Sequence, residues 1–296
     1  MRVKKMIILL VVFIFLVGFI PFEKMVKADE GYGVINTEKG KMYRDTHGNL
    51  FPIIVINGKK EVKINEYELA PLEALLERDG KQSKGKSALP EEILKKYYVS
   101  KNLFINSDFS TTLPSIVSYN QRYKLWCKEK LGFGPSTIGG AGCFLTSCAM
   151  MLATYNLTIN GSIVTPLNLN TWLKNNGGFS GDNLIFGAIA KFPGISSIGY
   201  FDSFNDAAIA IFYRIVPILR MTPSHFAPLV KTNGERNRKT NWIMNTYSRD
   251  YNYDYNNPGY RIYAPYDGKT PYYQTVEESG YDFASSSVFR TAYPQQ

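Results

Sequence analysis

Residues 139–151 read Gly-Gly-Ala-Gly-Cys-Phe-Leu-Thr-Ser-Cys-Ala-Met-Met, a run of small residues followed by an apolar segment. The segment from Cys143 to Tyr155 is apolar almost all round, which predicts a buried central helix preceded by a glycine-rich turn. The N–H groups at a helix N-terminus favour a thiolate, so we expect Cys143 to be a nucleophile near neutral pH. The small residues before it would let a substrate backbone approach the sulfur. A buried structural cysteine is the alternative interpretation.

A cysteine nucleophile needs a base, and the chain contains only two histidines. His47 falls in a predicted hairpin turn, whereas His225 begins an apolar strand directly after a turn at 222–224. We therefore expect His225 to be the base that serves Cys143.

A third residue should accept a hydrogen bond from the imidazole and hold its orientation. If the strand that begins at His225 pairs with the segment 241–248, the residue opposite the histidine lies between positions 248 and 245, depending on the register. Asn245 is our choice, and Thr246 and Asp250 remain open as alternatives.

An acyl-transfer site also needs hydrogen-bond donors for the oxyanion, commonly a backbone N–H at the nucleophile and a side-chain amide. Gln121, which stands shortly before an aromatic segment at 123–126, is our choice for the amide. A glutamine on the protein surface is the alternative interpretation.

Taken in order, these residues resemble the secreted, stand-alone relatives of the bacteriocin-processing (double-glycine leader) cysteine peptidases. The resemblance is carried by Gln121-Arg122-Tyr123, Trp126, Leu131-Gly132, Thr137-Ile138-Gly139, Gly142-Cys143, Thr146-Ser147, Ala149-Met150-Met151, Thr165-Pro166, Leu169-Asn170, Trp172-Leu173, Val216-Pro217-Ile218, His225-Phe226 and Trp242-Ile243-Met244-Asn245. It implies an α+β, papain-like fold in which a helical half carries the cysteine and an antiparallel sheet carries the histidine. The implied triad and oxyanion glutamine map onto Cys143, His225, Asn245 and Gln121.

The sequence departs from that family at two points. Phe144-Leu145 follow the cysteine where the family has Gly-Pro or a similar small pair, and we expect this bulk to narrow the cleft. Asn245 is followed by Thr246-Tyr247 where the family has Asp-Pro, so the acidic residue is missing. Asparagine serves as the orienting residue in papain-like peptidases, which keeps activity compatible with this sequence.

The chain divides into three predicted parts. Residues 1–28 combine basic residues, an apolar run and a small residue at the cleavage position, which predicts a signal peptide, with an uncleaved membrane anchor as the alternative. Residues 29–110 read as a β-rich N-terminal region, a candidate propeptide or accessory module, with a polar linker near 79–90. Residues 111–296 form the predicted peptidase domain.

Local signals place the elements of these parts. In the N-terminal region we expect strands at 33–43, 50–56 and 61–64, a tight hairpin turn at Asn57-Gly58 and a helix at 66–78. Later capping residues predict helices after Thr165 and Ser203. The chain then changes to predicted strands at 217–221, 225–231 and 241–246.

Composition excludes several classes of function. Without residues 1–28 the chain carries 29 Lys and Arg against 24 Asp and Glu, a net charge of +5 that argues against nucleic-acid binding. No second apolar stretch is long enough to span a membrane after signal removal. Besides the nucleophile there are Cys127 and Cys148, which either form a disulfide or remain thiols, and no group of residues has the spacing of a zinc site.

The sequence therefore predicts an exported papain-like cysteine peptidase, located outside the cytosol, that needs no metal or organic cofactor. Its partner would be a peptide or protein substrate, with the cell wall as a second candidate contact. Two alternatives stay open: an inactive surface-binding module of the same fold, and a peptidoglycan amidase or acyltransferase.

The tail from residue 247 holds eleven of the 21 tyrosines, and Tyr251, Tyr253 and Tyr255 would line one face of a strand as structural or ligand-gripping residues.

Overall fold

The computed structural model describes residues 31–46, 48–65, 68–84, 89–91, 111–222, 224–246, 261–263, 273–285 and 289–295. The helices are α1 (Leu72–Ser83), α2 (Ile138–Ala141), α3 (Cys143–Thr154), α4 (Pro166–Asn175) and α5 (Phe204–Phe212), with a 3-10 helix at Phe186–Lys191. The strands are β1 (Gly33–Thr37), β2 (Gly40–Arg44), β3 (Leu50–Ile56), β4 (Lys59–Asn65), β5 (Glu68–Pro71), β6 (Thr111–Thr112), β7 (Ile116–Ser118), β8 (Thr158–Ile159), β9 (Ser162–Ile163), β10 (Phe179–Ser180), β11 (Asn183–Ile185), β12 (Ile195–Phe201), β13 (Ile218–Thr222), β14 (His225–Thr232), β15 (Trp242–Met244), β16 (Arg261–Tyr263), β17 (Tyr273–Thr275), β18 (Asp282–Phe283) and β19 (Phe289–Pro294). The chain is thus a mixed α+β structure. The predicted signal peptide, residues 85–88 of the predicted linker, His47, Asp250 and the alternating tyrosines of the tail lie outside the described residues.

A seven-stranded sheet begins in the N-terminal region, in the order β1-β2-β3-β4-β5-β11-β10. The predicted hairpin turn is confirmed: Asn57 and Gly58 have φ values of 50° and 74° and join β3 to β4 with a two-residue loop. Both values are positive, as a type I′ turn requires, and asparagine and glycine tolerate them best. The predicted strand at 33–43 is instead two strands, because Glu38 and Lys39 form a turn between β1 and β2.

Helix α1 begins and ends later than the sequence predicted. It extends to Ser83, so the linker prediction is wrong for residues 79–83, which are helical. The physical reason is a buried polar cluster at the end of the helix. Asp79 is fully buried and accepts hydrogen bonds from the Arg78 guanidinium, at 2.5 Å, and from the Tyr43 hydroxyl.

The sheet continues across the predicted domain boundary. Strand β5 pairs in parallel with β11, with Glu68 beside Leu184 and Leu69 beside Ile185. Farther along the chain, Arg290 of β19 donates two hydrogen bonds to the Glu68 carboxylate. The N-terminal strands and the later part of the chain therefore share one sheet and one buried ion pair.

The second sheet positions the candidate site. Its order is β12-β19-β13-β14-β15-β17, with β18 added to β13 and β6 added to β14. The predicted strands at 217–221, 225–231 and 241–246 correspond to β13, β14 and β15. Helix α3 packs against β14, and α3 begins at Cys143 as predicted. This packing brings the first turn of the helix to the first residue of the histidine strand.

Both predicted helix caps are present. Thr165 and Asn168 form a reciprocal capping box at α4, and the Ser203 side chain accepts a hydrogen bond from the Asp206 backbone at α5.

Within the described ranges, the helices are all too short or too polar to cross a membrane.

Candidate active site

Cys143 is held at the junction of two helices. The short helix α2, capped by the Thr137 side chain, ends at Ala141, and α3 begins directly after Gly142. A side chain at Gly142 would collide with the Ile138 carbonyl. The tight helix–helix junction therefore explains this glycine, which we had interpreted as a small residue that lets a substrate backbone approach the sulfur.

The Cys143 sulfur lies against the start of strand β14. Its thiol donates to the backbone carbonyl of Ser224, with an Sγ–O distance of 3.7 Å. The backbone N–H of Phe226 also hydrogen-bonds the sulfur. The two backbone groups belong to the residues on either side of His225, so the structure brings the predicted nucleophile and the predicted base to one place.

The His225 ring is bound to the predicted third residue. Its Nε2 lies 2.7 Å from Oδ1 of Asn245, and both side chains are buried. An amide oxygen can only accept, so Nε2 carries the hydrogen and Nδ1 is the basic nitrogen of the neutral ring. The Asn245 bond thus selects the tautomer in which Nδ1 can take a proton.

Strand register explains why Asn245 reaches the histidine. Strand β14 pairs with β15 through Leu229 and Ile243, next to a bulge. Continuing that register places Asn245 beside Ala227. Ala227 is two residues after His225 in β14, so both side chains point to the same face of the sheet. The side chains meet diagonally across the two strands, which long and aromatic side chains can do.

An aromatic ring that the sequence did not predict covers His225. The Tyr281 ring stacks on the imidazole with centroids 4.3 Å apart and planes 16° from parallel. Tyr281 is itself buried, so the contact restricts rotation of the imidazole and excludes water from one of its faces. Its only sequence signal is membership of the tyrosine-rich tail, which does not single it out from ten others.

Gln121 is buried and fixed by a neighbour of Asn245. Its Oε1 accepts a hydrogen bond of 2.6 Å from the Thr246 hydroxyl, and its backbone N–H donates to the Thr246 carbonyl. The same side chain donates from Nε2 to the Gly139 carbonyl at 3.1 Å. Thr246, an alternative third member of the triad, therefore binds the glutamine and turns its amide nitrogen toward the segment before Cys143.

Burial governs the electrostatics of the sulfur. Cys143 is 5% exposed, and this burial raises the pKa of its thiol to about 11. The backbone N–H groups of Phe226, Phe144 and Cys143 lower that pKa, as expected at a helix N-terminus, but by less than burial raises it. The helix end thus favours the thiolate as predicted, but burial makes the net shift of the pKa upward.

The other two cysteines are free thiols. Cys148 is fully buried in α3, which raises its pKa, and Cys127 is half-buried. No disulfide joins them. Among the described residues there is also no cluster of three or more histidine, cysteine, aspartate or glutamate side chains that could hold a metal ion.

The bulky residue after the nucleophile points inward. Phe144 stacks on Phe226, with centroids 4.3 Å apart, and on Phe186, with centroids 5.5 Å apart. Leu145 is also buried in the core. The two side chains fill the interior behind Cys143, contrary to the expectation that they narrow the cleft.

A basic depression adjoins the glutamine. It has a volume of about 590 Å³ and is lined by Arg122, Lys124, Cys127, Lys128, Thr137 and Gly139. Gly139 is the residue whose carbonyl accepts from Gln121, so the depression opens beside the proposed oxyanion donor.

Comparison with protein-family models, with curated proteins and with solved structures found no match for this chain.

Proposed function

We propose that this protein is an exported papain-like cysteine peptidase that hydrolyses peptide bonds through a thioester acyl-enzyme. One observation carries the proposal. The Cys143 sulfur lies between the backbone groups that flank His225, and the His225 ring is bound to Asn245 at 2.7 Å. A thiol at a helix N-terminus, an imidazole and an orienting amide are the parts that thiol-dependent acyl transfer needs.

In the proposed reaction, His225 takes one proton from the thiol and then gives it to the leaving amine. Nδ1 of His225 takes the thiol proton, and the Cys143 sulfur attacks the carbonyl carbon of the scissile amide. The carbon–nitrogen bond then breaks, and the leaving amine receives that proton from the imidazolium. Water, deprotonated by the same ring, releases the acid product from the thioester. Asn245 accepts from Nε2–H throughout and holds the ring in this orientation.

Gln121 and the backbone N–H of Cys143 would stabilise the oxyanion of the tetrahedral intermediate. The amide group of Gln121 has two N–H bonds, and only one is needed for the Gly139 carbonyl. Because Thr246 fixes the amide oxygen, the donor is oriented before substrate arrives, which is the condition for strong oxyanion stabilisation.

A second candidate function is an inactive binding module of the same fold. The observation that favours it is the buried sulfur, whose pKa of about 11 keeps it protonated at neutral pH. An active enzyme must overcome this pKa by forming a thiolate–imidazolium pair with His225, which an inactive module would not form.

Alkylation of Cys143 separates these two functions. In a Cys127→Ser background, we expect iodoacetamide to label Cys143 stoichiometrically at pH 6, as measured by peptide mass spectrometry. In His225→Ala the pair cannot form, so labelling should appear only as the pH approaches about 11. Equal pH profiles for the two proteins would refute the peptidase.

Substrate assays complete the test. The active background protein should cleave members of an unfolded-peptide library and release new amino termini, and Cys143→Ala should not. If only purified cell wall yields products, the enzyme is the peptidoglycan amidase or acyltransferase instead. If neither substrate reacts although Cys143 labels at pH 6, the peptidase proposal fails.

A further inference from the structure

A second cavity lies in the N-terminal sheet and uses none of the active-site residues. It has a volume of about 420 Å³, within the range of about 300–1,000 Å³ common for small-molecule sites. Strand and hairpin residues of β3 and β4, the start of α1 and the segment 177–191 surround it. Its apolar wall includes Ile56, Leu72 and Ile185, and three glycines leave its backbone accessible.

Glu61 lines this cavity, and one oxygen of its carboxylate has no hydrogen-bond partner among the described residues. The residue is 4% exposed, and its Oε2 is buried without a hydrogen bond among the described residues. Two other buried carboxylates of the fold are each paired with an arginine, Glu68 with Arg290 and Asp79 with Arg78. Of these three carboxylates, Glu61 alone has no arginine partner within the described part of the chain, and burial of a carboxylate without such a partner is costly.

A second buried polar group nearby also has no partner. The hydroxyl of Tyr200 is buried without a hydrogen bond among the described residues, and its pKa is raised mainly by this burial, then by the charge of Glu68 and, to a smaller extent, by that of Glu61. The Tyr200 ring packs edge-on against Phe186, which directly precedes Gly187 of the cavity wall. The interior beside the cavity thus holds two polar atoms that have no hydrogen bond within the described part of the chain.

Most charges at the mouth of the cavity have the opposite sign. Lys59, Lys60 and Lys191 are exposed cations that line it, and Glu73 is an exposed carboxylate. Lys191 donates to the Asn176 carbonyl at 3.2 Å. The charge of Lys59 lowers the pKa of Glu61, but burial raises it more, to about 6. A cation is therefore needed at the buried end, and an anion would be favoured at the mouth.

We propose that this cavity binds a small zwitterion of the α-amino acid class, with its ammonium group on Glu61 and its carboxylate toward Lys59 and Lys191. An ammonium is a compact donor of three hydrogen bonds and satisfies a buried carboxylate directly. The apolar wall would accommodate an aliphatic side chain. This inference does not depend on the proposed peptidase activity.

Binding of three probes tests the charge pattern. We expect isothermal titration calorimetry on the full chain to detect L-leucine, and to detect isoamylamine more weakly because it lacks the carboxylate. Isocaproate, which has the carboxylate and no ammonium, should not bind. The proposal is overturned if neither leucine nor isoamylamine binds, or if isocaproate binds as tightly as leucine.

Two matched variants test the residue. Glu61→Gln should weaken leucine binding by at least about tenfold, the loss expected for a hydrogen bond to a charged group. Glu73→Gln removes the exposed carboxylate of the same cavity and should change the affinity by less than about threefold, as for other solvated charges. Equal effects of the two substitutions would refute the assignment of the ammonium to Glu61.

Two further measurements distinguish a direct loss of leucine binding from misfolding of the Glu61→Gln variant. Without ligand, Glu61→Gln should unfold at a higher temperature than the parent, because the substitution removes an unpaired buried charge. Binding by the parent should weaken as the pH falls through about 6, where Glu61 takes up a proton. The charged side chains that line this cavity with Glu61 are Lys59, Lys60, Glu73 and Lys191, and the charge of Glu61 also acts on the phenol of Tyr200. A Glu61→Gln protein that is folded, no more stable and still binds leucine would overturn the proposal.

Discussion

Replacing Arg290 with methionine should destabilise the whole fold. The Arg290 side chain is fully buried, and it donates to Glu68 from Nε at 2.5 Å and from Nη2 at 2.7 Å. The Glu68 side chain is fully buried as well. The guanidinium carbon also lies 5.2 Å from the centre of the Phe226 ring, next to the candidate base. Arg290→Met would leave the buried Glu68 carboxylate without its hydrogen-bonded counter-charge, with Arg220 as the remaining nearby cation.

The expected loss is large. Removing one partner of a buried ion pair lowers the free energy of unfolding by about 3–5 kcal/mol, because the remaining charge is uncompensated. The contact with Phe226 contributes about 0.5–2 kcal/mol in comparable geometries, part of which a methionine side chain replaces. We therefore expect Arg290→Met to lose about 3–5 kcal/mol, which is much of the stability of a typical domain.

Urea unfolding followed by circular dichroism would measure this loss, with linear extrapolation to water. The double variant Arg290→Met/Glu68→Leu removes both charges, so its stability should return close to that of the parent. Lys81→Met breaks the exposed pair with Glu77 and should cost less than about 1 kcal/mol. If Arg290→Met costs no more than Lys81→Met, or if the double variant is as unstable as the single one, the reasoning is wrong.

Three further predictions concern the site and its supports. Asn245→Ala should lower kcat/KM for a peptide by about tenfold to a hundredfold, since the His225 ring loses a buried hydrogen bond; unchanged kinetics would exclude an orienting role. Thr246→Val should lower kcat by about tenfold with little change in KM, because the Gln121 amide loses the hydroxyl that orients it, and a pure KM effect would contradict this. Thr165→Ala should lower the free energy of unfolding by about 1 kcal/mol through loss of the α4 cap, measured by urea unfolding, and a neutral result would show that the cap is dispensable.

Elements set by neighbouring residues were predictable from the sequence. The start of α3 at Cys143, the N-cap at Thr165 and the turn at Asn57-Gly58 all follow from short-range preferences. The hydrogen bond between His225 and Asn245 could also be predicted, because one short hairpin joins their strands. A bulge in that hairpin sets the final register, and no residue type in the sequence indicates that a bulge forms there.

What the sequence could not provide are contacts between distant segments. The Glu68–Arg290 pair joins residues 222 positions apart, and the parallel pairing of β5 with β11 crosses a predicted domain boundary. Tyr281 is one tyrosine among many until the fold stacks it on the histidine ring. Burial of Cys143, which reverses the expected direction of its pKa shift, is likewise a property of the packed structure.

The position of β19 has a consequence for how the protein is made. This strand, Phe289–Pro294, lies between β12 and β13 in the sheet that carries the candidate base, and it brings Arg290 to a carboxylate near the start of the fold. A nascent chain that stops short of residue 289 has an open gap in that sheet and a buried acid without its cation. We therefore expect the candidate site around His225 to assemble only after this late strand has left the ribosome.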